Sequence, residues 1–155
     1  MEHELYLSID AMLAPESLSA LESRAVTDVR CLPFESVDSL SGSRFLIVET
    51  NHGPKSRYVA KWLSAEWDWI MRPTSDQYGR AVVAWQIGLL DRRPPEIDHA
   101  AVACADDGSG WAILMRDVGP DLIPPGDGPI GVRENTCFLT DGRPARDLLG
   151  GSRGS

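Results

Sequence analysis

Long apolar runs are missing from this sequence. The longest reach about six residues, such as those around 81–85 and 111–115, where a membrane-spanning helix needs roughly twenty. No membrane partner is therefore expected. The opening Met1-Glu2-His3-Glu4 is acidic where a secretory leader is basic, and no apolar stretch follows it. Basic residues are scarce: 15 Lys and Arg face 23 Asp and Glu, a net charge of −8. Phosphate-backbone binding needs a surplus of cations on one face, so nucleic acid is not an expected partner. The three cysteines, Cys31, Cys104 and Cys137, are odd in number and far apart. They fit neither a disulfide framework nor a metal knuckle, and they suit a reducing, cytoplasmic setting. His3, His52 and His99 have no neighbour at ligand spacing, which gives no support for a metal site. No serine sits in a G-x-S-x-G elbow, so a hydrolase triad has no anchor.

What remains is an ordinary globular composition, 43% apolar and 25% charged over 155 residues. That is enough for one core, or for one lobe of something larger. Leu5, Ile9, Met12 and Leu13 fall at helical spacing, and Pro15 restarts a second turn carrying Leu18 and Leu21. Residues 26–32 alternate with period two, as a half-buried strand does. Residues 44–50 are rich in β-branched and apolar side chains between turn residues and make the clearest strand. After the turn at 51–54, residues 58–63 read as a third strand, giving an antiparallel meander. Ser64 offers an N-cap with acidic residues in the following turn, and Pro73 ends that piece. A further helix is expected over 76–90, stopped by Pro94-Pro95. Strands at 99–105 and 111–118 follow, joined by the hairpin residues 106–110. The expected class is α+β, a five-stranded antiparallel sheet with packed helices.

Past Val118 the pattern weakens. Gly126-Asp127-Gly128-Pro129-Ile130-Gly131 has G-x-G-x-x-G form. A dinucleotide fingerprint must follow a strand and open a helix. Prolines before and inside this one read as linker instead. Residues 1–130 form the expected folded part, and 131–155 a disordered or out-of-frame tail, poor in periodicity and rich in Gly and Arg.

Lys61 is the most informative residue. It stands inside Tyr58-Val59-Ala60-Lys61-Trp62-Leu63 and shares a strand face with Val59 and Leu63. On a core face its ammonium would need an anion; on the other face it is simply solvated. Period two alone leaves both open.

Its context adds to this. A Val-Ala-Lys on the third strand of a meander, then a helix and two strands, resembles the N-terminal lobe of protein-kinase-like enzymes. Asp68-Trp69-Ile70-Met71-Arg72, Gly88-Leu89-Leu90, Pro94-Pro95 and the stretch Gly110-Trp111-Ala112-Ile113-Leu114-Met115-Arg116-Asp117-Val118 resemble the aminoglycoside-phosphotransferase-like kinases of bacteria. The resemblance runs over about residues 5–130. It implies a kinase-like N-lobe binding ATP with Mg²⁺, whose family moves the γ-phosphate to a small-molecule hydroxyl. Lys61 would hold the phosphates. The loop of residues 39–44, with Ser41, Gly42 and Ser43, would cover them. Met115, Arg116, Asp117 and Val118 would form the hinge whose backbone meets the adenine. Asp76, or else Glu66 or Asp68, would supply the carboxylate that steadies Lys61. The family's catalytic loop reads as a His-Gly-Asp type sequence, and nothing of that type follows Val118. The resemblance thus implies a lobe without its C-terminal partner, inactive alone, with an uncovered apolar interface prone to self-association. A non-catalytic module binding a nucleotide or a protein is the alternative.

Overall fold

The computed structural model of the chain describes residues 2–34, 42–94 and 99–118. The proposed tail at 131–155 and the G-x-G-x-x-G stretch lie outside these residues. Five strands form one antiparallel sheet: β1 (Val29–Phe34), β2 (Arg44–Thr50), β3 (Arg57–Leu63), β4 (Ala101–Asp106) and β5 (Trp111–Arg116). Their order across the sheet is β1-β2-β3-β5-β4, so the β4–β5 hairpin docks on β3 through its second strand. The described part of the chain is therefore α+β, as the sequence leads one to expect. Among the described residues, no helix is long and apolar enough to cross a membrane.

The main core lies on the face where Val48, Tyr58, Ala60, Ala112, Leu114, Ala103 and Ala105 point. Two short helices cover it, α1 (Ile9–Met12) and α2 (Pro15–Glu22), which contribute the fully buried Met12 and Leu18. Ser8 caps α1 by accepting from the Ala11 amide, and Pro15 stands at the start of α2. α3 (Arg80–Gln86) packs on the opposite face, pressing Val82 and Trp85 against Cys104, Trp111 and Ile113.

Three helical expectations change, and the first strand lies at Val29–Phe34 rather than 26–32. The opening helix begins at Ile9 rather than near Leu5, because Tyr6 is held by the outer edge of β4. Its amide donates to the Cys104 carbonyl at 3.0 Å, and its own carbonyl accepts from the Asp106 amide at 3.0 Å. Residues 64–75 form capped turns in place of a helix. Ser64 Oγ accepts from the Glu66 amide, and the Asp68 carboxylate accepts from the Ile70 and Met71 amides at 2.9 and 3.2 Å. Side chains thus take the amide protons that a helix would spend on carbonyls. The helix expected over 76–90 is shortened to seven residues, because Gly79 and Gly88 adopt positive φ at its two ends.

The N-terminal segment is further pinned at His3, whose ring stacks on Trp85 at 4.4 Å and meets Asp91 at 2.8 Å. His99 approaches the same carboxylate at 3.4 Å. The hydrogen bond from His3, aided by His99, holds Asp91 below the usual carboxylate range. A lowered folded-state pKa adds stability above the ordinary Asp range, and that stability is lost as pH falls through the lowered value. Acidification through that lowered value should therefore cut the exchange protection of the Tyr6 amide. Protection that survives full protonation of Asp91 would contradict this coupling.

Candidate nucleotide-facing site

Strand alternation decides which way Lys61 points. Tyr58 and Ala60 enter the main core, so Val59 and Lys61 lie on the other face, the one that α3 partly covers. Register places Lys61 between Phe45 on β2 and Ile113 on β5, and Val59 between Ile47 and Met115. α3 reaches only the β4–β5 end of this face. It comes close there because Gly79 has no side chain: a Cβ would lie 2.8 Å from the Trp111 ring, at a φ of +61°. Toward β1 no described helix packs on this face. Leu32, Phe45, Ile47, Val59 and Met115 are half-buried on it, and Phe34 is exposed. The result is an apolar platform on which Lys61 stands, with Arg30 and Arg57 further along the same face beside Glu49.

Lys61 is one of only two lysines in the sequence. Its Nζ lies 5.7 Å from the Phe45 ring centroid, a cation–π contact. The expected carboxylate is not beside it: among the described residues, no carboxylate comes within 4.0 Å of Lys61. The three candidates have other duties. Asp68 is buried and binds the Ser43 hydroxyl at 2.9 Å as well as the two amides of its turn. Asp76 accepts from the Arg80 amide at 3.0 Å and pairs with the Arg80 guanidinium at 3.6 Å, so it caps α3. Glu66 is exposed. Lys61 is thus left electrostatically uncompensated at contact range, on a chain of net charge −8.

The remaining site residues fall around the platform's edges. Ser41 lies outside the described residues. Gly42, at φ +77°, and Ser43 lead into β2, and Ser43 ties this entry to Asp68. Met115 and Arg116 belong to β5 itself. The Arg116 amide donates to the Ala100 carbonyl, and the Asp117 amide to the Arg57 carbonyl, both in about the geometry of a continued sheet. The Asp117 carboxylate meets Arg57 at 3.3 Å. The expected hinge stretch is therefore held by its neighbours up to Asp117, with Val118 exposed beyond it. Beneath α3, burial pushes the Cys104 thiol up to about 12, which removes it as a nucleophile at neutral pH.

No family model, characterised protein or solved structure matches this chain. Its chemistry has to be read from these residues alone.

One further cluster carries no sequence motif. Arg44 lies over the rings of Trp67 at 4.5 Å and Trp62 at 5.8 Å, and the two indoles meet edge to face. Its signal was present, since the meander makes Arg44 and Trp62 cross-strand partners.

Proposed function

We propose that this chain is the nucleotide-facing lobe of a kinase-like phosphotransferase, and that Lys61 receives the phosphates of ATP. The observation that carries this reading is Lys61 itself: an ammonium without a contacting carboxylate, standing on a half-exposed apolar platform. An apolar base fits that platform, and a polyphosphate supplies the missing anion. The connectivity supports the reading as well, because a three-strand meander leads to a helix on the lysine's own face and then to two more strands. Val59 and Ile47 would lie against the base, and the loop entering β2 at Gly42 and Ser43 would border the phosphates. Mg²⁺ would arrive on the nucleotide, since the described residues gather no set of three metal-ligating side chains.

Phosphoryl transfer also needs an oriented acceptor and a held metal. The sequence has no His-Gly-Asp loop for this, so the chain alone binds and does not transfer. That absence equally favours the second reading, a non-catalytic module that binds a nucleotide on the same platform.

Equilibrium titration with ATP and Mg²⁺ tests the site. Removing one charge-assisted phosphate contact by Lys61→Met should weaken binding at least about tenfold. The fold should hold in that variant, because Lys61 is half-exposed and makes no ion pair among the described residues. ATP consumption should not exceed the no-protein control. Equal affinity in wild type and Lys61→Met would remove Lys61 from the site, and turnover dependent on Lys61 would reveal a catalytic group in this chain.

A further inference from the structure

The free edge of the sheet is β1, since among the described residues no strand lies beyond it. Two hydrogen bonds fix which of its peptide groups face outward. The Asn51 amide donates to the Asp28 carbonyl at 3.2 Å, one step before β1 in the β1–β2 register. Antiparallel bonding alternates, so Arg30, Leu32 and Phe34 spend their peptide groups on β2. Val29, Cys31 and Pro33 turn theirs away from the sheet. The Asp117 amide gives the same answer from the other side. It donates to the Arg57 carbonyl at 3.0 Å, which commits the odd-numbered residues of β3 to β5 and those of β2 to β1. Pro33 fits this assignment, because proline lacks the N–H that an inward position would need. The opposite edge of the sheet is occupied: Tyr6 takes the Cys104 carbonyl and the Asp106 amide of β4.

The β1 edge therefore offers N–H and C=O from Val29 and Cys31, and a lone C=O from Pro33. Arg30, Cys31, Pro33 and Phe34 are exposed, so the edge is open among the described residues. This pattern complements itself. A second β1 laid antiparallel, with Cys31 facing Cys31, makes four backbone bonds. Both Cys31 amides reach the opposing Cys31 carbonyls, and both Val29 amides reach the opposing Pro33 carbonyls. Moving the centre to Arg30 also gives four, but it sets the two Arg30 side chains directly opposite each other. Moving it to Leu32 leaves only two bonds within the strand, because Pro33 has no donor. In the Cys31 register Arg30 lies opposite Leu32 and Val29 opposite Pro33, with no like charges facing. We propose that β1 pairs in that register with the β1 of a second copy of this chain, joining two five-stranded sheets into one. Because Tyr6 closes the β4 edge, assembly stops at a twofold dimer instead of running into a fibre. The contact is short, so the dimer is weak and reversible. It stands whether or not the Lys61 face takes a nucleotide.

Sedimentation equilibrium and amide chemical shifts, over a concentration series reaching about 1 mM, test this. The Val29 and Cys31 amides should shift saturably with concentration and gain exchange protection. In a mixture of isotope-labelled and unlabelled copies, intermolecular contacts should join Val29 to Pro33. Cys31→Pro deletes the central donors without removing a bond to β2, and should weaken dimerisation at least about tenfold. Val29→Pro serves the same purpose if that variant unfolds. Pro33→Ala restores a donor opposite the Val29 carbonyl, and should tighten the dimer at least about fivefold. A monomer at every concentration would overturn the assignment. So would a dimer unaffected by Cys31→Pro or by Pro33→Ala, or one whose shifts centre on Ile47 and Val59 of the Lys61 face.

Discussion

Leu114→Ala is expected to destabilise the chain by about 3–5 kcal/mol, the upper part of the range for a buried leucine. Leu114 is fully buried on β5, the strand flanked by β3 and β4. Its cross-strand neighbours are Ala60 on one side and Ala103 on the other. Alanines have no side-chain length with which to fill the space a lost isobutyl group leaves, so the cavity persists. The principal caps over this region, Met12 and Leu18, sit on short helices tied to their own loops and cannot follow it inward. Set against a total stability of roughly 5–15 kcal/mol, the loss should lower the unfolding midpoint by more than about 10 °C. A change below about 1 kcal/mol would mean that Leu114 is not the centre of this core.

Asp68→Ala should cost about 2–4 kcal/mol, since each buried partner left unsatisfied costs about 1–3 kcal/mol. The carboxylate is 2% exposed and accepts three hydrogen bonds, from Ser43 Oγ and from the Ile70 and Met71 amides. It thereby joins the entry of β2 to the turns that follow β3. Asp68→Asn keeps one acceptor oxygen for the amides and puts an NH₂ where Ser43 could bond another, so it should recover part of the loss. Chemical denaturation of the two variants reads the difference directly. If both variants stay within about 0.5 kcal/mol of wild type, as a neutral surface change would, the buried carboxylate is not what joins these segments.

These two residues also mark how far the sequence could be read. β2 was legible to the residue, from Arg44 to Thr50, because β-branched residues between turn formers have few alternatives. The meander and the β4–β5 hairpin were legible for the same local reasons. The role of Asp68 was not. Its acidic neighbourhood after Ser64 looks like the first turn of a helix, and only the Ser43 hydroxyl, 25 positions away, shows that it is a buried acceptor. The bridge from Tyr6 to Ala105 is similarly non-local and leaves no periodicity to detect. Lys61 lay at the limit. Period two gave two faces, and only the packing of α1 and α2 on one of them and of α3 on the other fixed its direction. None of Glu66, Asp68 and Asp76 comes within 4.0 Å of Lys61, and capping and turn formation engage two of those carboxylates.

If, as proposed, ATP lies on the Lys61 face of the sheet with its phosphates at Lys61, amide shift mapping during titration with ATP and Mg²⁺ will locate it. Saturable shifts are expected to cluster at Phe45, Ile47, Val59, Lys61 and Met115, with the Leu46, Ala60 and Ala112 amides of the opposite face moving less. Shifts confined to the α1 side of the sheet, or none up to millimolar ATP, would contradict it.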